Sequence, residues 1–500
     1  MRLRMIDIHL ISQCTIEPEV DCLIIPAYED ALNEAASSNL LLAEDKTLLN
    51  LLIEKGNIDG KDNFYLPTPL SPYQSIMVIG LGEKEKVKAS KFRDASGKAA
   101  KNFQKFKKTH LLLEMAHVSE ELDADQFVEA IVLGQYSYNE FKDIPEDKNP
   151  VNVTEICIHV NEDVDLTLAQ AKVNLAQTKC ESANWARNLA NKPGNALTPS
   201  ILAQEAEAMA KETGAEFEVF DEKKMKELGM NSLLSVSQGS DEEAKLMFIK
   251  HSHPDATKTI AIVGKGLTFD AGGISLKPGK GMQDMKFDMC GAAAVLGAMR
   301  NICIIKPAIN VICVVPSSEN LINGSATKPG DIVKAYNGKT IEIYNTDAEG
   351  RLILADAMAY TVEKYKPDMM VDLATLTGAC IVALGHHLGG LMSEDEGMVE
   401  ALTAAGEKVH ERLWRLPLND EYRDLLKGKD ADLCNIGPPF AGTVTAGCFL
   451  SNFVGEDTRW AHLDIAGVAW NMKGASYIDE KLGSGFGVRL LTRWILNESE

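Results

Sequence analysis

Short apolar runs, separated by longer mixed stretches, set the organisation of this chain. In the first half the runs fall at Val20 to Pro26, Ser75 to Gly80, His110 to Glu114 and Val153 to Val160. Polar stretches of helical composition lie between them, among them Lys84 to Lys107 and Glu120 to Leu133. This alternation predicts βαβ units and an α/β fold with a mixed or parallel sheet. Leu166 to Leu189 reads as one long helix, ended by Asn191-Lys192-Pro193-Gly194-Asn195. Beyond it the alternation resumes, with strands predicted near Thr259, Ala308, Thr340, Asp368 and Trp460 and helices between them. A chain of 500 residues exceeds the size of one hydrophobic core. Two domains are therefore expected, 1–168 and 169–500, the second including the linking helix. Asp143 to Pro150 is a polar loop inside the first domain. The chain carries no internal repeat and no low-complexity segment.

Composition narrows the class. Apolar residues make up 45% of the chain, enough for sizeable cores, and the net charge is −21. That balance disfavours a general affinity for nucleic acid or anionic membrane. Ten cysteines are scattered from Cys14 to Cys448 without a CxxC pair, and Cys303 and Cys313 sit in apolar runs. Buried free thiols in a reducing compartment, the cytoplasm, are the expectation. Asp7 and His9 interrupt Met1 to Ile16, which makes a poor secretory signal. No apolar run reads as long enough to span a membrane, since Arg300, Lys306 and Pro307 break the longest candidate.

Candidate chemistry concentrates in Asn345-Thr346-Asp347-Ala348-Glu349-Gly350-Arg351-Leu352. It lies between a strand-like run, Thr340 to Tyr344, and a helix-like run, Leu352 to Tyr365. In an extended segment Asp347, Glu349 and Arg351 would share one face, because alternate side chains do. Two carboxylates so close need positive charge between them, from Arg351 or from a divalent metal. Taken alone, the segment fits a solvated turn with an ion pair equally well. A second segment, Lys265 to Lys277, follows the buried run Thr259 to Val263 and carries Asp270. Asp288 stands just before Cys290 to Leu296, which reads as a tightly packed helix. No histidine occurs between His253 and His386, which argues against a His-based zinc helix. Four carboxylates without histidine suit hard divalent ions bound through oxygen and bridged as a pair.

Other features weigh less. The glycines Gly264, Gly266, Gly272 and Gly273 fit neither phosphate-loop spacing, so a turn at the metal site is the better reading. His386 and His387 read as structural, Met282 and Met289 as core packing, and Lys84 to Lys88 as a solvated helix face.

These residues resemble the two-metal leucyl aminopeptidases of the cytosol aminopeptidase family. Asn345 to Leu352 matches that family's signature octapeptide at every position. The Lys265 to Lys277 and Asp288 segments match too, as do Asp372 to Ala379, Trp460 to Gly467 and Arg187 to Asn195. The resemblance is dense from about residue 180 onward and faint before it. It implies a smaller N-terminal α/β (macro-domain-like) domain and a larger C-terminal α/β catalytic domain with a mixed, mainly parallel central sheet. It also implies hydrolysis of N-terminal residues, leucine and other hydrophobic ones preferred, from peptides with a free N-terminus.

Site roles follow from the same resemblance. Asp270 and Glu349 would bridge two divalent ions, manganese or zinc. Lys265 and Asp288 would complete one metal site and Asp347 the other. Lys277 would stabilise the oxyanion, and Arg351 would hold a bicarbonate. Lys277, Met285, Asn345, Thr375 and Gly378 would contact substrate. A homohexamer is implied. Two readings from other classes stand beside this one. They are a two-metal phosphoesterase and an added DNA-binding regulatory role, the second disfavoured by the acidic balance.

Overall fold

The computed structural model describes residues 5–13, 20–68, 71–118, 122–145 and 148–500. Cys14, both ends of the Met1 to Ile16 segment, the start of Glu120 to Leu133 and Glu146-Asp147 of the polar loop lie outside the described residues. The chain forms two compact units. One comprises Met1–Glu181 with Gly474–Asp479, the other Ser182–Lys473 with Glu480–Glu500.

The first unit is built on a six-stranded sheet. Its strands are β1 (Asp7–Ile11), β2 (Cys22–Tyr28), β3 (Phe64–Pro67), β4 (Ser75–Gly82), β5 (His110–Glu114) and β6 (Glu155–His159). Their order is β1-β6-β5-β2-β4-β3, parallel except for the β3–β4 pair. Every residue of β2 is buried, as a central strand covered on both faces requires. Helices Ala89–Lys105 and Ala124–Gly134 follow β4 and β5, in the stretches where polar helices are predicted. Helix Leu166–Asn191 runs from the first unit into the second.

The second unit holds nine strands in one sheet. They are β7 (Glu216–Phe220), β8 (Lys245–His251), β9 (Thr259–Gly264), β10 (Gly266–Asp270), β11 (Asn310–Asn320), β14 (Met369–Ala374), β15 (Gly389–Met392), β16 (Leu413–Arg415) and β18 (Arg459–Asp464). A small separate sheet joins β12 (Ile332–Lys334), β13 (Thr340–Glu342) and β17 (Leu433–Cys434). The large sheet runs β16-β15-β18-β14-β9-β11-β8-β7, with β10 beside β11. Its centre, β18-β14-β9-β11-β10, is wholly parallel. Helices Cys290–Ile305 and Gly350–Tyr365 pack on this centre and are apolar and buried along most of their length.

The expected α/β architecture with a mainly parallel sheet is therefore observed. Two local expectations change. The strand predicted over Thr340 to Tyr344 stops at Glu342, because the chain must turn to reach the helix at Gly350. Contrary to the expectation that Arg300, Lys306 and Pro307 leave no run of membrane-spanning length, Met282–Ile305 is helical throughout, 24 residues long and by length and composition apolar enough to cross a membrane. Arg300 is accommodated inside it and Lys306 falls just past its end. Its most apolar 18-residue window is 83% buried, and the stretch belongs to the core of the unit.

Candidate metal centre

Parallel strands place their C-terminal ends on one edge, and the charged residues collect there. Lys265 is the first residue beyond β9, and Asp270 is the last of β10, opposite Asn320 at the end of β11. Thr375 follows β14, and Asp464 ends β18. The 3-10 turn Met282–Met289 adds Asp288, and Glu349 caps the N-terminus of helix Gly350–Tyr365.

These side chains converge. Asp270, Asp347 and Glu349 each present an oxygen, all within 4.8 Å of one another. Lys265 Nζ lies 2.8 Å from Asp288 Oδ2 and 2.8 Å from Glu349 Oε1. It also donates to the Thr375 carbonyl at 3.0 Å. Lys277 Nζ lies 2.8 Å from Asp270 Oδ2 and 2.5 Å from Asp347 Oδ1. Thr375 Oγ1 donates to Asp288 Oδ1 at 2.7 Å. Four carboxylates thus meet two ammonium groups, with Lys265, Asp270, Asp288 and Glu349 buried and Lys277 and Asp347 partly exposed.

The titration behaviour follows from that imbalance. Burial raises the Asp270 pKa well above the carboxylate range, and Glu349 and Asp288 push the same way. Burial, with Glu349 beside it, also raises Asp347 against the pull of Lys277. Asp288 is pushed up to about 7 by burial, although Lys265 opposes the shift. Glu349 moves the other way. Burial would raise it, but Lys265 and Lys277 outweigh that and hold its pKa low. Burial works against both lysine charges, yet Asp288 and Glu349 around Lys265 and Asp270 around Lys277 raise both pKa values.

The signature segment is not extended. Asn345–Ala348 forms a turn and Glu349 already has helical backbone. Asp347 and Glu349 still converge, but Arg351 does not join them. At about 100° per residue, positions 349 and 351 of a starting helix face opposite ways. Arg351 is buried and its Nη1 donates to the Asn435 carbonyl at 2.8 Å. Burial lowers its pKa to about 10, opposed by Glu349 and Asp464. The positive charge between the carboxylates comes from Lys265 and Lys277 instead.

Glycines make the approach feasible. Gly272 and Gly273 have φ of +91° and +64°, in the left-handed region that favours glycine. A Cβ on Gly272 would stand 2.8 Å from Asp347 Oδ1, and one on Gly273 would stand 2.7 Å from Asn320 Oδ1. A Cβ at Gly350 would collide with the Lys265 side chain at 2.5 Å.

The other expected substrate residues lie around this cluster. Met285 is half-buried in the 3-10 turn, and Gly378 is exposed at the start of helix Gly378–Leu384. Asn345 Oδ1 accepts the Asp347 backbone N–H at 2.9 Å, so this side chain shapes the turn. Thr375 positions Asp288 and Lys265, a contact its place after a strand did not reveal. Asn320, Thr346 and Asn435 were not expected. Asn435 Nδ2 donates to the Asn345 carbonyl at 2.7 Å, and its Oδ1 accepts the Tyr344 N–H at 2.9 Å. All three are uncharged; Thr346 lies inside the signature segment, whereas only their place in space marks Asn320 and Asn435.

The donor set suits divalent metal. Buried Asp288 Oδ2 and Asp347 Oδ1 accept no hydrogen bond of good geometry, although an ammonium lies close to each. Such oxygens, with two further carboxylates and a lysine that would give up its proton on binding, offer what a hard or borderline cation takes. An oxygen-rich cluster at the C-terminal edge of a parallel α/β sheet defines the class, a metal-dependent hydrolase.

The comparisons with known proteins carry the assignment further. Residues 184–492 match the model of the cytosol aminopeptidase family, catalytic domain, and residues 24–145 match that family's N-terminal domain. A probable cytosol aminopeptidase of Nitrosomonas europaea is 41% identical over 489 residues, covering 96% of each chain. One from Acidithiobacillus ferrooxidans is 40% identical over 491 residues, again 96% of each. A variant of tomato leucine aminopeptidase superposes with a TM-score of 0.88 at 31% identity, over 99% of this chain and 97% of that one. The bottromycin maturation enzyme BotP in complex with Mn gives 0.84 at 29%, over 96% of this chain and 100% of that one. The chain belongs to the cytosol aminopeptidase family. It is a metal-dependent aminopeptidase that takes peptides as substrates.

Proposed function

We propose that the chain removes hydrophobic N-terminal residues, leucine among them, through a pair of divalent ions held by Lys265, Asp270, Asp288, Asp347 and Glu349. The observation that carries this reading is the convergence of Asp270, Asp347 and Glu349 oxygens within 4.8 Å, with Lys265 and Asp288 at their side. Asp270 and Glu349 would serve both ions, Lys265 and Asp288 would hold one of them, and Asp347 would hold the other. Asp270 would contribute through Oδ2, since its Oδ1 already accepts N–H groups from Gly272 and Asn320. The ions, manganese or zinc, supply a water acidified to near neutrality and polarise the scissile carbonyl.

The chain's own residues do the rest. Lys277, 21% exposed at the edge of the cluster, donates to the oxygen that becomes negative as the peptide carbonyl is attacked. Asp288, together with a metal, would hold the substrate's free α-amine, which restricts cleavage to a free N-terminus. Arg351 stays protonated near neutrality and so cannot act as a base; it would hold a bicarbonate able to relay the proton. Met285, Thr375 and Gly378 line the recess for the first side chain, and Asn345 orients the backbone. The domains proposed are 1–168 and 169–500, in a homohexamer in the cytoplasm, and nothing in the acidic balance favours nucleic acid.

Purified protein with defined Mn or Zn content, assayed on a panel of amino-acyl amides beside a phosphate ester, tests the activity. Leucyl and methionyl amides should be cleaved fastest, and ester-only activity would favour the phosphoesterase reading. Arg351→Ala should respond less to added bicarbonate than wild type, and an equal response removes the anion role. Light scattering at micromolar concentration should give about six chains, and a fully active monomer removes the hexamer.

A further inference from the structure

Asn320 lies outside the signature segments, is 4% exposed and ends β11 at the edge where the cluster assembles. Both hydrogens of its amide nitrogen are engaged. One goes to Asp270 Oδ1 at 2.9 Å and the other to the Thr346 carbonyl at 3.0 Å. Its own backbone carbonyl accepts the Ala271 N–H at 3.0 Å. The Thr346 carbonyl belongs to the peptide bond that leads into Asp347, and the N–H of that same peptide donates to Asn345 Oδ1 at 2.9 Å. One peptide unit, next to a candidate ligand, is therefore gripped at both poles by asparagine side chains.

Further bonds tie the same two loops together. Thr346 Oγ1 donates to the Gly272 carbonyl at 2.7 Å and accepts the Ser275 N–H at 2.8 Å. Gly273 leaves room for the Asn320 amide, which a side chain there would displace. Asp270 Oδ1, holding two N–H donors, is fixed, so Oδ2 is the oxygen turned toward Lys277 and the cluster.

We propose that Asn320 is a positioning residue: its amide sets Asp270 and Asp347 at the spacing that one divalent ion requires, by bridging the two loops that carry them. The proposal rests on the di-metal reading above. An aspartate at this position would turn an acceptor toward two acceptors, and an alanine would leave both unpaired. Groups that orient ligands in this way change metal affinity by about 10- to 100-fold when removed.

The test is Asn320→Ala, with calorimetric titration of Mn into metal-free protein beside steady-state kinetics on a leucyl amide. One of the two Mn dissociation constants should rise by about 10- to 100-fold. At saturating Mn, kcat should fall by about tenfold or more, while KM changes by less than about threefold and the melting temperature of the metal-free protein stays close to wild type. A merely structural role would lower that melting temperature and leave both Mn constants of the folded protein unchanged, and this outcome overturns the proposal. Should Asn320→Ala not fold, Asn320→Leu, of similar volume, is judged by the same criteria, and failure of both to fold also overturns it. The di-metal reading is tested separately by Glu349→Gln. If that variant loses metal while Asn320→Ala keeps wild-type constants, the positioning role alone is lost.

Discussion

Each unit buries a cluster of charges, and the two clusters are built on different accounts of charge. In the first unit Arg93 Nε pairs with Glu129 at 2.8 Å and Lys179 Nζ with the same carboxylate at 3.3 Å, all three side chains under 10% exposed. Asp125 lies near, its pKa raised by burial and by Glu129. Two cations and two acids roughly cancel there. In the second unit four carboxylates face two ammonium groups within ion-pair distance. A cluster that neutralises itself holds a fold. A cluster with surplus negative charge is suited to take up cations, and its neighbours spend their hydrogen bonds on aiming oxygens. Burial alone therefore does not mark a site; the unbalanced sum does.

The comparison is broken most directly at Glu349. Glu349→Gln should abolish hydrolysis and empty at least one metal position, read by metal analysis beside turnover. Its metal-free melting temperature should move little, because the lost pair with Lys265 is offset by relief of repulsion on Asp270 and Asp347. Full activity with two ions bound would sink the assignment. Glu129→Gln should do the reverse. It leaves Arg93 and Lys179 buried without their shared acid, at a cost of about 3–5 kcal/mol. Chemical denaturation would show this, while kcat of the folded protein should stay unchanged.

Lys277 separates the ligands from the charges around them. Lys277→Ala removes a cation that touches Asp270 and Asp347 but is outside the proposed ligand set. Both metals should remain, and kcat should drop by about 100- to 1,000-fold, the usual cost of an oxyanion donor. Loss of metal in this variant would move Lys277 from catalysis to assembly of the centre.

Much of the second unit was legible because its chemistry is local in sequence. Asp270, Asp288, Asp347 and Glu349 each lie at a strand end or helix start, and the absence of histidine pointed to oxygen ligands. Arg351 misled, because period-two alternation holds for an extended chain and this one turns into a helix at residue 349. Asn320 was illegible for another reason. It closes an eleven-residue strand and carries no charge, so only the pairing of β10 with β11 brings it to Asp270. In the first unit β2, β4, β5 and β6 were legible while the edge strands β1 and β3 were not, and Arg93 and Glu129 sit in stretches that read as polar helices. Their burial depends on helices Ala89–Lys105 and Ala124–Gly134 packing together, which no local pattern encodes.

A third charge pair shows what remains when burial is removed from the comparison. Asp395 and Arg459 meet through two hydrogen bonds, Nε to Oδ2 at 2.7 Å and Nη2 to Oδ1 at 2.8 Å. Their side chains are 28% and 47% exposed. The Arg459 hydrogen bond, against the opposing effect of burial, lowers the Asp395 pKa to about 2, and the Met398 N–H adds to it. The folded pKa is below the unfolded value, so the stabilisation is present above about pH 4 and is lost as pH falls toward 2. Solvent screens a pair this exposed, which limits its worth to about 0.5–1 kcal/mol. Asp395→Asn keeps an oxygen to cap helix Glu396–Val409 and removes only the charge. It should therefore cost that small amount at pH 7 and only a fraction of it by pH 2, with the difference shrinking in 1 M salt. A loss of several kcal/mol, unchanged by salt, would show that pairing geometry rather than burial sets the strength of these clusters.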